Sequence, residues 1–232
     1  MKLTETQIHK LYKFTREHFV AYYDVQTELV DHLANDIETI WVEKPQVSFE
    51  KARDLSFKKF GVFGFMDVIE QKQKAMHKKY WKILWRFTKE WFELPKIITT
   101  ALVFLLFFSV LQSGFAYEIL LGSFIALMAF ELFLIIKKKK KKQEKKKQPQ
   151  KRWLLQEMIG ETKTGISFLT FVYVFNTISA FDIDFTVLAT HWVVLIAAGT
   201  TLLCLLFYVA TFVLPLKATE LLEETYPEYK IS

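Results

Sequence analysis

The sequence predicts an all-α polytopic membrane protein with a small helical domain in its N-terminal third. Three observations carry that prediction. Apolar segments at about 97–112, 117–136, 164–181 and 187–214 approach or exceed the roughly 20 residues a helix needs to cross a bilayer. Between the second and third, eleven of the sixteen residues 137–152 are basic and one, Glu144, is acidic. Ahead of all four, the first sixty residues place apolar side chains at helical spacing between recognisable cap residues.

The bulk composition follows from these segments. Just over half the residues (52%) are hydrophobic and 23 are Phe. The formal charge is +6, yet the stretch 137–152 alone supplies +10, which leaves −4 for the rest. The basic balance is therefore one local patch and does not argue for a nucleic-acid-binding domain. A single cysteine, Cys204, excludes an intramolecular disulfide and a cysteine-based metal cluster. The opening residues are polar and show no cleavable signal peptide.

The elements are read in chain order as follows. Thr4 with Gln7 forms a capping-box pattern, and Ile8, Leu11, Tyr12 and Phe19 continue at roughly helical spacing. Asp24 is the expected N-cap of a second helix, in which Val25, Leu29, Leu33 and Ile37 recur every four residues. Glu28, Asp31, Asn35 and Glu38 line its other side, and Pro45 ends it. Ser48 caps a third helix with Phe49, Ala52, Leu55 and Phe60 inward, and Gly61 stops it. Residues 1–75 thus form a helical cytoplasmic domain.

Residues 76–95 are a linker helix. It mixes Tyr80, Trp81, Leu84, Trp85, Phe87, Trp91 and Phe92 with Lys78, Lys79, Lys82, Arg86 and Lys89. Trp and Tyr favour the headgroup layer and lysine pairs with anionic lipid, so this helix is expected to lie on the inner leaflet. A first transmembrane hairpin (96–136), a basic loop (137–163), a second hairpin (164–215) and a tail (216–232) complete the chain. The turns at 112–116 and 182–184 carry no Lys or Arg, whereas a short Lys-rich loop resists translocation. Both termini and the basic loop are therefore placed in the cytoplasm. The outer turns leave no room for an extracytoplasmic sensor domain.

The run E-L-V-D-H-L-A-N-D-I-E over 28–38, S-F-E-K-A over 48–52 and Phe60-Gly61 resemble the HAAS (helix-turn-helix-associated signalling) domain of bacterial membrane proteins, especially those of the Bacteroidota. The resemblance covers about residues 5–75. It implies a small helical domain fused to inner-membrane spans, and a PadR-like transcription regulator as partner. It implies no catalytic activity.

Candidate chemistry is sparse. Glu28, His32 and Asp36 stand at i, i+4 and i+8, where two of them could share a metal; the alternative is that His32 pairs with both acids along the helix. Glu131 lies in the second span about six residues from Lys137, close enough to reach the interface or pair with a lysine, against a proton or ion path. Asn176 and His191 are suited to hydrogen bonds between helices, and Gly122, Ala126 and Ala129 to a close-packing seam. No phosphate loop, nucleophile elbow or zinc-protease motif is present. No enzyme, cofactor or metal is expected. The partner face is assigned to Glu28, Asp31, Asn35 and Glu38. Anionic lipid is assigned to Lys137, Lys138, Lys139, Lys140, Lys141, Lys142, Lys145, Lys146, Lys147, Lys151 and Arg152, with Trp81, Trp85 and Trp91. Direct nucleic-acid binding is not expected, and a homo-oligomer is compatible with the pattern. Much of the basic loop is read as disordered, with a basic helix prolonging the second span as the alternative. The expected function is signalling or protein interaction at the membrane. The alternatives are a small permease or transporter accessory subunit, and a structural membrane protein without a switch.

Overall fold

A computed structural model describes residues 2–145, 151–160 and 187–231 of the chain. All regular structure among them is helical. The helices are α1 (Glu5–Glu17), α2 (Tyr23–Glu43), α3 (Phe49–Lys58), α4 (Met66–Lys89), α5 (Lys96–Leu111), α6 (Ala116–Lys145), α7 (Leu154–Gly160), α8 (Thr190–Tyr208) and α9 (Ala218–Thr225). The chain divides into two compact units, one of residues 1–80 with 150–158 and the other of 81–149 with 159–232. Each is described by itself.

In the first unit, α1, α2 and α3 close a core around Leu11, Phe14, Leu29, Leu33, Ile37, Trp41, Phe49 and Ala52. Two of the predicted N-caps form. Thr4 and Gln7 make the reciprocal capping box, and Ser48 Oγ accepts from the Lys51 N–H at 3.4 Å. Gly61 takes φ +78°, a left-handed turn that glycine adopts without Cβ strain. Three expectations shift. Phe19 lies beyond the end of α1, at φ +64°, with its ring 88% exposed, because His18 already closes the helix. Leu55 turns outward and Ser56 inward, where its hydroxyl donates to Asp36 at 3.0 Å. Asp24 is not the N-cap of α2; Tyr22 holds that place and Asp24 sits in the first turn.

In the second unit, Leu111, Ala116, Leu120, Val193 and Ala197 bring α5, α6 and α8 together, with Phe104, Phe107 and Phe108 packed around them. Among the described residues, two helical stretches are long and apolar enough to cross a membrane, Ala116–Lys137 and Thr190–Leu216. A third candidate is the pair Met66–Phe92 and Lys96–Leu111, whose halves meet at 88°. The predicted third span, 164–181, lies outside the described residues. The stretch from Thr190 to Leu216 contains a π-helical turn, Val209–Val213. Pro215 explains it: the ring would clash with the Thr211 carbonyl in an α-helical register, and widening the turn relieves that clash.

One further expectation changes here. Gly122, Ala126 and Ala129 are exposed, and the small-residue contact falls on α8 instead, where Ala197 and Thr201 are buried one turn apart. The tail is folded. Leu221, Leu222 and Tyr226 are buried, and Arg86 of α4 grips Glu224 of α9 through both carboxylate oxygens, each at 3.2 Å. That grip holds the Arg86 guanidinium charged beyond its already high range.

Candidate functional site

The most developed polar arrangement outside the helix cores lies where α2 begins. An isolated helix start leaves its first N–H groups without partners. Here the starts of α2 and α7 satisfy each other. The Tyr23 N–H donates to the Arg152 carbonyl at 2.7 Å, and the Leu154 N–H donates to Asp24 Oδ1 at 3.2 Å. Asp24 therefore caps a helix 130 residues downstream rather than its own. Four aromatic or cationic contacts frame the exchange. Trp153 packs edge-on against Tyr23 with centroids 5.3 Å apart, and Tyr23 stacks on Tyr12 at 5.9 Å. Lys151 lies 4.4 Å over the Tyr23 ring and Arg152 5.7 Å over Tyr22. The Tyr12 hydroxyl donates to Thr27 at 3.2 Å, and burial is the main reason its pKa stands above the ordinary tyrosine value.

The apolar side of α7 completes the contact. Trp153 is 2% exposed and Leu155 0%, with Leu154 and Met158 also buried. Residues 151–160, read from sequence as part of a disordered loop, thus include a docked helix. Lys151 and Arg152, assigned to lipid, also engage the tyrosines, and Arg152 pairs with Glu157 at 3.1 Å. The sequence signal was present. Trp153, Leu154, Leu155 and Met158 form a short apolar cluster inside a stretch that is otherwise charged.

The acidic stripe of α2 separates into used and free groups. Glu28 forms an ion pair with Lys72, and Glu38 accepts the Leu3 N–H at 3.0 Å. Both are half-buried, whereas Asp31 and Asn35 are exposed. Lys2, Asn35, Glu38, Thr39 and Val42 edge a shallow depression beside them. His32 is exposed. Its expected partners are engaged elsewhere, Glu28 by Lys72 and Asp36 by Lys59 at 2.9 Å and by Ser56. No cluster of metal-ligating side chains occurs among the described residues.

The second half of α4 has two faces. Tyr80, Ile83, Leu84 and Thr88 are buried, and burial raises the Tyr80 pKa. Trp81 and Trp85, 53% and 45% exposed, form the opposite stripe with Phe92, flanked by exposed Lys78, Lys82 and Lys89. Trp91 does not join them. Its ring packs edge-on against Tyr208 at 5.2 Å, and its carbonyl accepts the Thr100 hydroxyl at 2.6 Å.

Helix α6 runs unbroken through Lys137, Lys138, Lys139, Lys140, Lys141 and Lys142 to Lys145, which matches the basic-helix alternative. Lys146 and Lys147 lie outside the described residues, as does Asn176. Glu131 is 3% exposed, so it is turned inward rather than out to the interface. The neighbouring Phe130 stacks at 6.1 Å on Phe212 of the π turn. His191 is exposed near the start of α8.

Compared with protein-family models, curated proteins and solved structures, the chain matches none.

Proposed function

We propose that this chain is a four-span inner-membrane protein whose cytoplasmic helical unit captures a protein partner, a PadR-like transcription regulator being the class its HAAS-like segment implies. The observation that carries the reading is a pair of ties that count membrane crossings. The Tyr23–Arg152 hydrogen bond requires both residues to share a compartment, so the chain crosses an even number of times between them. Helices α5 and α6 supply two crossings. The Arg86–Glu224 ion pair imposes the same condition over the longer interval. Helix α8 adds one crossing, so evenness asks for one more between Gly160 and Thr190, where the apolar segment 164–181 stands. The lysine run places the shared compartment in the cytoplasm.

This arrangement gathers α1–α4, α7 and α9 on one side and leaves only short turns on the other. Such a chain has an interaction face and no outer sensor. The exposed part of the predicted partner face is Asp31 and Asn35, a polar surface suited to a basic regulator, where charge complementarity governs orientation and association rate. The stripe of Trp81 and Trp85 with Lys78, Lys82 and Lys89 supports an interfacial position for α4, and the 88° bend into α5 is the turn such a helix makes on entering the bilayer.

The test is co-purification of the full chain with a co-expressed PadR-like regulator. Asp31→Lys with Asn35→Lys is expected to weaken capture at least tenfold and leave thermal stability unchanged. Capture that ignores both changes refutes the assignment of the face. A second reading, a small permease, is favoured by Glu131, an acid buried within a candidate span. It predicts proton or cation flux in reconstituted vesicles that Glu131→Gln abolishes, and the docking reading predicts none.

A further inference from the structure

The first unit closes its main core with α1, α2, α3 and the Phe65 turn that follows them, from residues that lie within 11–65. The seat of α7 is at the edge of that core, at the N-terminal end of α2. What fills the seat is a seven-residue helix, too short to persist in water by itself. Its hold combines directional polar contacts with apolar anchors. A backbone N–H meets the carbonyl before the helix, a carboxylate meets its first N–H, two tyrosine rings take the preceding cations, Trp153 packs on Tyr23, and Leu155 is fully buried. Backbone bonds that fix direction and side chains that fill a site are how domains read helical and extended peptides.

We propose that the N-terminal end of α2 is a helix-recognition site, filled in cis by residues 151–158 and open to a partner helix of the same chemistry: two cations, then Trp-Leu-Leu and a Met one turn on. This rests on the docking reading above and names a site and a ligand class for it. A partner helix then acts by exchange. It takes the seat as α7 leaves, so the net affinity is reduced by the effective concentration of the tethered segment, typically millimolar for short tethers. Release also frees Lys151 and Arg152 from the tyrosine rings. Anionic lipid is a poor competitor for the seat. It offers about 1 kcal/mol for each of those two cations, against roughly 1.5–3 kcal/mol for each large apolar side chain that would have to leave.

The experiment uses the full chain in lipid nanodiscs, in a Cys204→Ala background, and a synthetic peptide of residues 150–160 as probe. A cysteine at Leu155 is expected to react slowly with a maleimide, and saturating peptide to speed that reaction at least fivefold. A scrambled peptide is expected to leave it unchanged. In a Trp153→Ala, Leu155→Ala chain with the seat emptied, the labelled peptide is expected to bind at least tenfold more tightly than to the parent, and Asp24→Lys to remove that gain. A Leu155→Cys rate that ignores the peptide, or equal action of the scrambled peptide, overturns the proposal even if the emptied variant fails to fold. A cysteine pair at Tyr22 and Arg152 is expected to close within one chain on oxidation. Covalent dimers instead would assign the seat to a second copy and overturn the foreign partner. Failure of regulator capture with peptide exchange intact refutes the regulator and keeps the site.

Discussion

Replacing Trp153 by alanine separates a seated helix from an integral piece of core. The side chain is 2% exposed and packs edge-on against Tyr23. Truncating a buried Trp costs about 3–5 kcal/mol. Seven residues of helix have no reserve of that size, so the expected response is local detachment of α7 while α1–α3 stay folded. At about 1.4 kcal/mol per tenfold, amide exchange in 154–160 should accelerate roughly a hundredfold to several thousandfold. The Tyr23 amide should accelerate with it, because its acceptor is the Arg152 carbonyl. Asp24→Ala removes the cap on Leu154, worth about 0.5–2 kcal/mol, and should accelerate the same amides about two- to thirtyfold. The amides around Leu33, in the middle of α2, serve as the internal reference. Hydrogen exchange with mass spectrometry on the full chain reads all three regions at once. Equal acceleration at Leu33 and at α7 would show one cooperative core and refute the seat; unchanged exchange in 154–160 would show that Trp153 anchors nothing.

Leu33→Ala should cost about 2–5 kcal/mol of first-unit stability, against no more than about 0.5 kcal/mol for the exposed Asp31→Lys, in thermal melts of the full chain. Burial raises the Tyr12 and Tyr80 pKa values, so the folded state resists losing these protons; their contribution is complete below the unfolded value near 10 and is lost as pH rises past it. Tm should therefore fall above pH 10 and fall less in Tyr12→Phe, Tyr80→Phe, and a parallel decline in both proteins would contradict the assignment. Single cysteines at Ser113 and Asp184, with Cys204→Ala, should react with an impermeant thiol reagent in intact cells, whereas one at Gln148 should react only after lysis. Lipids brominated near the glycerol should quench a chain that keeps only Trp81 and Trp85 of its tryptophans and should spare one that keeps only Trp153.

Local chemistry was legible in the sequence at most positions where a signal and its effect lie within one helix, Phe19 and Leu55 being exceptions. The capping box at Thr4, the Ser48 cap, the Gly61 stop and the buried run Leu29, Leu33 and Ile37 all depend on spacings of three or four residues. What the sequence hid depends on contacts between distant segments. Asp24 has the composition and place of an N-cap, and nothing local reveals that it serves α7. Glu28 and Asp36 flank His32 at the spacing of helix pairs, yet Lys72 and Lys59 reach them from other segments with longer, more mobile side chains. Trp91 belongs by sequence to the aromatic belt with Trp81 and Trp85. The 3₁₀ turn at Glu90–Phe92 breaks the α4 register, and Trp91 ends against Tyr208.

The arguments for the four crossings proposed above rest on unrelated physics. The lysine run argues from the cost of moving dense positive charge across a bilayer. The Tyr23–Arg152 and Arg86–Glu224 ties argue from contact alone and hold whatever the charge of the loop. Neither tie fixes which side of the membrane is involved; the lysines do that. Conversely, charge bias alone does not count crossings, since a loop of 27 residues between 137 and 163 would be held inside by any even or odd pattern that ends there. In the proposed topology, parity supplies the count. If α5 only lay on the surface, an α6 that crosses would carry Arg152 to the opposite side from Tyr23, and the 2.7 Å bond from the Tyr23 N–H to the Arg152 carbonyl would be impossible. In the proposed topology the 16 residues of α5, too few for a full span at 1.5 Å each, are helped across by the residues that flank them or by local thinning of the bilayer.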